Sequence, residues 1–411
     1  IKVNKGTTIL EALEGTGINI NTPCGGKGVC GKCKVLIKKG IAAATSIEKE
    51  LLSEEEIEKG FRLACQTKLF KDTIIEIPPE IRLDFKRVFS SNLKGDILHF
   101  KNNFSLDSNF KKVFLDLKKP SLDDQKPDWE RIKDGLSSKK IENISHLKAS
   151  LEILKKIPVL IREANFKITV TLQNNEIIDI ENGDTTKNSY GIAFDIGTTT
   201  VAGYLVDLNT GEELSAVAKA NPQIIYGDDV ISRIGFAQKQ KENLEILQRK
   251  IVNALNEIIK ETAQKAGVDT NNIYKITIAG NTCMHHLLLG LNPSYIAPSP
   301  YIPVIKDGLN LKAKDIPGFI IKPNVNVYIL PNISAFVGAD IVAGILAIRM
   351  YEDEKISLFI DLGTNGEIVL GSKRKIWTCS TAAGPAFEGA RISSGMRAAK
   401  GAIDKVKMDN E

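Results

Sequence analysis

Apolar and polar residues alternate in short runs over the first part of the chain. Ile1–Val3, Val35–Lys38 and Thr73–Ile77 read as strands, and Ile9–Glu14 has the spacing of a short helix. Pro78 and Pro79 close that unit, and a lysine-rich, weakly periodic stretch from Arg82 to Asn109 suits a connector. A second unit follows. Val113–Leu117 is strand-like, Pro120–Asp124 is a good helix start, and a helix is expected near Ile141–Lys156. Phe166–Leu172 and Glu176–Ile180, separated by Gln173-Asn174-Asn175, predict a β-hairpin. From Tyr190 onward apolar strands run into glycine-rich turns and on to helices such as Leu244–Ala266, which is α/β patterning. The expected organisation is multidomain, α+β and α/β: a small domain at 1–82, a linker at 83–109, a small α+β middle domain at 110–186 and an α/β domain at 187–411.

Composition changes this picture little. At 411 residues the chain exceeds one ordinary core. A hydrophobic fraction of 43% with 26% charged residues is that of a folded, water-soluble protein. The net charge of +5 is spread along the chain, so no nucleic-acid partner is expected. No apolar run approaches the roughly 20 residues that span a bilayer, and the start lacks the layout of a signal peptide. No membrane association is expected, and the cytoplasm is the expected compartment. The chain opens on Ile1 instead of Met, so incompleteness is open at either end, and the few residues after Glu367 lead to the expectation that the last domain is incomplete at its C-terminal side.

Six cysteines are too few for a disulfide framework in a chain of this length, and four of them carry metal-ligand spacing. Pro23-Cys24-Gly25-Gly26-Lys27-Gly28-Val29-Cys30-Gly31-Lys32-Cys33 gives C-x5-C-x2-C, and Cys65 supplies a distant fourth thiolate. Four thiolates suit an all-cysteine 2Fe-2S cluster. The glycines allow a tight loop whose backbone N–H groups point at the cluster sulfides. A structural zinc site is the alternative, though it normally shows two C-x2-C pairs. Gly6-Thr7-Thr8-Ile9-Leu10, the cysteine loop and Leu63-Ala64-Cys65-Gln66 resemble plant-type and adrenodoxin-type ferredoxins, and the five-residue spacing resembles the adrenodoxin type. That resemblance implies a β-grasp domain and a low-potential one-electron carrier, with about −400 mV the usual plant value.

Gly191–Ala202 reads as a buried strand, a hydroxyl-rich turn and a returning strand. Gly197, Thr198, Thr199 and Thr200 offer backbone N–H and hydroxyl donors to phosphate oxygens, and Asp195 at the strand end would orient magnesium through water. An ordinary hairpin would read the same way. A second copy stands at Leu358–Val369, with Asp361, Gly363, Thr364, Asn365, Gly366 and Glu367. Two such turns would face each other across a cleft and grip a polyphosphate from both sides.

The two turns resemble the phosphate motifs of the superfamily of acetate kinase, sugar kinases, heat-shock chaperones and actin, whose core is ribonuclease H-like. Ile278–Thr282, with Gly280 and Asn281, resembles its connecting motif, a strand running into a helix between the two lobes. The resemblance implies ATP with Mg2+, a water-positioning role for Asp361, and a metal or water contact for Glu367. An adenosine motif, a Gly-Gly turn with a following helix, does not stand at a suitable distance after Asp361. Elsewhere, Cys283 and Cys379 read as small core residues, His285 and His286 as structural or solvated, and Trp129 and Trp377 as packing residues. Gly384–Arg391 reads as a substrate loop or a helix cap, and Gly227–Arg233 as a capped helix start or a phosphate-proximal loop.

A ferredoxin domain, a small middle domain and an actin-like ATPase in that order resemble the reductive activators of corrinoid proteins. What the resemblance implies is one-electron delivery to a Co(II) corrinoid on a partner protein, giving Co(I), with ATP making an uphill transfer feasible. A low-potential donor would supply the electron, and a homodimer is compatible with it. A gap of about 120 mV costs about 2.8 kcal/mol, within reach of coupled binding. Two other functions fit parts of the chain: electron supply to a dehydratase, and a redox-sensing nucleotide-binding regulator without turnover. Because the whole middle unit separates cluster loop from phosphate turns in sequence, nucleotide is expected to leave the cluster potential of the isolated protein almost unchanged.

Overall fold

The computed structural model describes residues 1–83 apart from Glu14, Gly15, Gly17, Asn21 and Pro23, and residues 110–381 apart from Thr364. The expected linker after Leu83, the Gly384–Arg391 segment and the Thr364 assignment lie outside the described residues.

In the first unit Lys34–Lys39 pairs antiparallel with Phe61–Leu63 on one side and Ile74–Glu76 on the other. Alternation sends Val35 and Ile37 inward, where they join Ile9, Ile20, Leu63 and Ile77 in one core. Ile1–Val3, expected as a strand, finds no covered face, since Ile1 and Val3 are exposed, and the first pairing forms at Thr7–Thr8 against Lys68–Leu69. Glu48 holds the unit together from inside. Its buried carboxylate accepts hydrogen bonds from Leu63 N (2.8 Å) and Thr67 Oγ1 (2.7 Å) while closing a capping box with Thr45. Both ends of the turn that carries Cys65 are thereby fixed.

The second unit is a four-stranded sheet of Phe110–Asp116, Lys167–Gln173, Glu176–Asn182 and the short Lys148–Ala149. Helices Asp128–Ser138 and Leu151–Glu163 share its core, the latter through Ile153, Ile157 and Ile161 at four-residue spacing. Two expectations shift here. Ser121 and Asp124 bridge each other in a turn, and the helix starts only at Asp128, behind Pro127. The expected Ile141–Lys156 helix begins at Leu151, because Ser150 caps it by accepting from Ile153 N.

The third unit has a six-stranded sheet in the order Glu213–Ala220, Thr200–Asp207, Tyr190–Ile196, Ile273–Gly280, Asn326–Ile329, Leu309–Lys312. The central three pairings from Thr200 to Ile329 are one antiparallel hairpin and two parallel neighbours. The Lys241–Ala266 helix covers the sheet with Leu247, Ile251, Leu255 and Ile258 and ends on left-handed Gly267. Helix Ala339–Ala347 then leads to a separate antiparallel sheet of Ser357–Leu362, Gly366–Ser372 and Lys375–Thr381. Tyr274 donates to Glu181 (2.6 Å) and Lys322 pairs with Asp179 (2.7 Å), tying the second unit to the third. Cys283 is buried in the main core as expected, whereas Cys379 and Trp377 are exposed on the outer strand of the last sheet. Among the described residues no helix is long and apolar enough to cross a membrane.

Candidate functional site

The cysteine loop turns on left-handed backbone at Gly25, Gly26, Gly28 and Gly31, with φ between +59° and +79°. This folding brings the Cys30 thiol, and then the N–H groups of Val29, Gly28 and Lys27, onto the Cys24 sulfur, drawing its pKa down to about 4. Cys65 Sγ lies 3.4 Å from Cys33 Sγ and 3.4 Å from Gln66 Nε2, and these two donors draw it down to about 7. Cys30, half-buried, and Cys33, buried, donate within these pairs and are pushed up. The four thiols therefore stand as two pairs, Cys24 with Cys30 and Cys33 with Cys65. Two pairs suit two irons bridged by sulfide, while one zinc ion needs all four thiolates around one centre. Gln66, adjacent to Cys65 in sequence, is a sulfur donor that spacing alone did not single out.

The first phosphate hairpin is braced from beneath. Gly197 N–H closes the turn on Thr200 O (2.9 Å), so Gly197 serves close approach instead of donating to a ligand; a Cβ there would stand 2.6 Å from that oxygen. Asn281 donates from Nδ2 to Thr198 Oγ1 (2.9 Å) while its Oδ1 caps the Thr282–Leu289 helix at Met284 N (3.0 Å). Asn221 donates to Gly197 O (2.8 Å), and the wholly buried Arg233 donates to Thr198 O. In the second hairpin Asp361 sits directly opposite Glu367, and Gly363 N–H donates to Asn365 O (3.0 Å).

Asp195, Asp340, Asp361 and Glu367 lie near enough for their charges to act on one another. Asp195 is open to water along the cleft, yet the protein around it, then the charges of Asp340 and Asp361, raise its pKa to about 6. Burial raises Asp340 to about 6, with Asp361 adding to it. Burial likewise raises Glu367 to about 7, with Asp340 and Asp361 contributing, and pushes Asp361 up. A cation between them relieves this repulsion. Asp340 escaped the sequence reading because it lies in no D-x-G-T turn. It stands in the first turn of Ala339–Ala347, brought in by Gly338, where a Cβ would fall 2.4 Å from Asn281 Cα.

One expectation needs correction. Ile278–Gly280 lies within the six-stranded sheet, and the helix after it packs into the same core, so this segment does not link the lobes. The element that leaves that sheet for the next one is Ala339–Ala347. Gly280 and Asn281 still border the first hairpin: the Gly280 backbone passes Ile196 O so closely that a Cβ would meet it at 2.7 Å. His286 is structural, accepting from Val304 N at Nε2 and bonded at Nδ1 to Thr282 O (2.7 Å). His285, bonded to Asn332, is lowered to about 4 by burial.

Comparison with known proteins bears on both sites. Residues 1–69 match a 2Fe-2S iron-sulfur cluster binding domain, and that stretch contains Cys24, Cys30, Cys33 and Cys65. The RACo linker region matches at 100–187, the RACo middle region at 190–353, and the C-terminal domain of RACo, the ASKHA domain, at 355–411. Residues 100–411 thus match RACo-family regions almost throughout, behind the 2Fe-2S domain match at 1–69. In RACo terms the four-stranded unit is the linker region and the six-stranded sheet the middle region, and the second hairpin opens the ASKHA match. The corrinoid activation enzyme RamQ of Eubacterium limosum is 34% identical over 414 residues, covering 100% of this chain and 64% of that protein. A Methanosarcina barkeri protein named [Co(II) methylated amine-specific corrinoid protein] reductase is 30% identical over 234 residues, 54% of this chain and 41% of that one. A solved structure titled reductive activator for corrinoid,iron-sulfur protein superposes with a TM-score of 0.65 at 38% identity, covering 97% of this chain and 64% of that one. The chain thus spans 64% of the length of RamQ and of that solved structure.

Proposed function

We propose that this chain is the cluster-bearing and ATP-responsive part of an activator that passes one electron to a Co(II) corrinoid on a partner protein, giving Co(I). The observation that carries this reading is the union, in one chain, of two thiol pairs in a 2Fe-2S domain with two acid-bearing hairpins in RACo-family regions. Relatives named as corrinoid activation enzymes and corrinoid-protein reductases support the choice of acceptor.

Cys24, Cys30, Cys33 and Cys65 would hold the cluster, which supplies one electron at a time when bound. The N–H groups aimed at Cys24 and the Gln66 amide at Cys65 offset its negative charge and so help to set its potential. Thr198, Thr199, Thr200, Asn365 and Gly366 would border the nucleotide phosphates. Asp195, Asp340, Asp361 and Glu367 would hold Mg2+ through its own waters, which magnesium gives up reluctantly. Asp361 would orient the attacking water. Closure of the two hairpins on nucleotide favours one state of the complex with the partner. A coupling of about 1 to 3 kcal/mol moves a one-electron equilibrium by about 40 to 130 mV.

The rate of ATP hydrolysis by the full-length protein, with and without a Co(II) corrinoid protein, tests the reading. Stimulation by the corrinoid protein is expected. A rate indifferent to it, together with corrinoid reduction that ignores nucleotide, would contradict the proposal.

A further inference from the structure

Sequence separation led to the expectation that cluster and nucleotide cleft are insulated, but the cluster loop touches the segment that braces the first phosphate hairpin. Thr22 Oγ1 donates to Ile225 O (2.5 Å). Gly25, at φ +59°, lies so close to the next carbonyl that a Cβ would stand 2.2 Å from Tyr226 O. Ile225 and Tyr226 belong to the short 3-10 turn Pro222–Tyr226, which Asn221 precedes and Gly227 ends. Both flanks of that turn are fastened to the hairpin. Asn221 donates to Gly197 O (2.8 Å) and, from its own N–H, to Thr199 O (2.8 Å). Arg233 reaches from the Val230–Ala237 helix, donating to Gly227 O (2.9 Å) and Gln223 Oε1 (3.3 Å) and, from its other end, to Thr198 O.

We propose that the Asn221–Arg233 segment couples the two sites: Asn221 and Arg233 are positioning residues that pass the state of the phosphate hairpin to the cluster loop, so nucleotide and cluster oxidation state bias each other. The proposal rests on the reading of both sites given above. A planar guanidinium holding the Gly227 and Thr198 carbonyls fixes their separation, and breaking either bond would strand buried donors. The hairpin and the turn therefore move together. The contact beyond is small enough to shift. Beside it a cavity of about 290 Å3, lined by residues including Leu10, Ile18, Gly26, Phe236 and Lys239, leaves part of the facing surfaces apart. The cluster loop can thus change its seating on Tyr226 without unpacking either core. Reseating alters both the solvent access of the loop and its N–H geometry, which are levers on cluster potential.

Linkage makes the test quantitative, because a nucleotide that shifts the potential by a factor of ten in equilibrium, about 59 mV, must bind the two oxidation states with a tenfold difference in Kd. The full-length holoprotein, without corrinoid partner, is titrated potentiometrically with and without a magnesium-bound nonhydrolysable ATP analogue. Binding of the same analogue is measured on the oxidised and the reduced protein. The expected result is a potential shift of at least about 59 mV and a Kd ratio of the same factor. Thr22→Val, which keeps the hairpin braces, and Arg233→Lys, which keeps the charge but not the fork, should each shrink both quantities together. An analogue that binds equally to both oxidation states and leaves the potential unmoved overturns the coupling while leaving the cleft assignment intact. Failure of the analogue to bind at all overturns both.

Discussion

Replacing Glu367 by Gln should stabilise the last sheet at pH 8 in magnesium-free buffer, while weakening the response to magnesium. Glu367 is buried, and its pKa is raised from an ordinary 4.5 to about 7, mostly by burial and then by Asp340 and Asp361. A carboxyl with a raised folded-state pKa keeps its proton in the folded chain after the unfolded chain has lost it. Stability therefore falls as pH rises from about 4.5 to about 7 and levels off above that. At 1.36 kcal/mol per tenfold, ionised Glu367 weakens the fold by about 3 kcal/mol at pH 8. Gln keeps the shape and removes the charge, so the variant should gain most of that at pH 8 and little at pH 5. Trp377 lies on the neighbouring strand of the same sheet, and Trp129→Phe makes it the only tryptophan. Urea titrations followed by Trp377 fluorescence, at pH 5 and pH 8, read the difference. A variant that is neutral or less stable at pH 8, or whose effect does not change with pH, would refute the placement of Glu367 as a buried acid near Asp340 and Asp361.

Further outcomes follow from the same geometry. Purified protein should contain iron and acid-labile sulfide at about two each per chain, without stoichiometric zinc, and Cys30→Ser should lose the visible absorption of the cluster while the six-stranded unit stays folded, as judged by hydrogen exchange. Glu48→Ala should destabilise the cluster domain by about 3 kcal/mol, because it orphans the buried Leu63 N–H and Thr67 hydroxyl; the denaturant midpoint of cluster release measures it, and an unchanged midpoint would count against that bracing role. Asn281→Ala should weaken nucleotide binding by removing the bond to Thr198 Oγ1, with calorimetry as the readout and no change in cluster content.

The cysteine spacing made the cluster domain readable because ligands for one cluster must recur in a fixed pattern, and the two strand-turn-strand copies around Asp195 and Asp361 were readable because alternation and glycine mark such hairpins. Asp340 was not, since it reaches the cleft only through the close packing of Gly338 on Asn281. The role of Ile278–Gly280 was misjudged for a related reason: a strand running into a helix looks the same whether it links lobes or lies inside one sheet, and only the pairing with Tyr190–Ile196 and Asn326–Ile329 decides. Gly227–Arg233 was open between a capped helix start and a phosphate-proximal loop, and its fold is that of the capped helix start. Asp229 caps the helix at Ser232 N (2.7 Å), and Arg233 reaches the Thr198 carbonyl. The contact of Thr22 with Ile225 was not legible, because distance along the chain says nothing about which surfaces the folded domains share.

Co(I) formation, followed spectroscopically when the reduced full-length protein meets a Co(II) corrinoid protein with and without Mg-ATP, decides whether nucleotide drives the electron transfer. The account predicts reduction that depends on Mg-ATP and is depressed in both Asp195→Ala and Asp361→Ala, while chemical reduction of the cluster in those variants proceeds as in the parent. Equal Co(I) formation by parent and both variants, at the same rate with or without nucleotide, would contradict it.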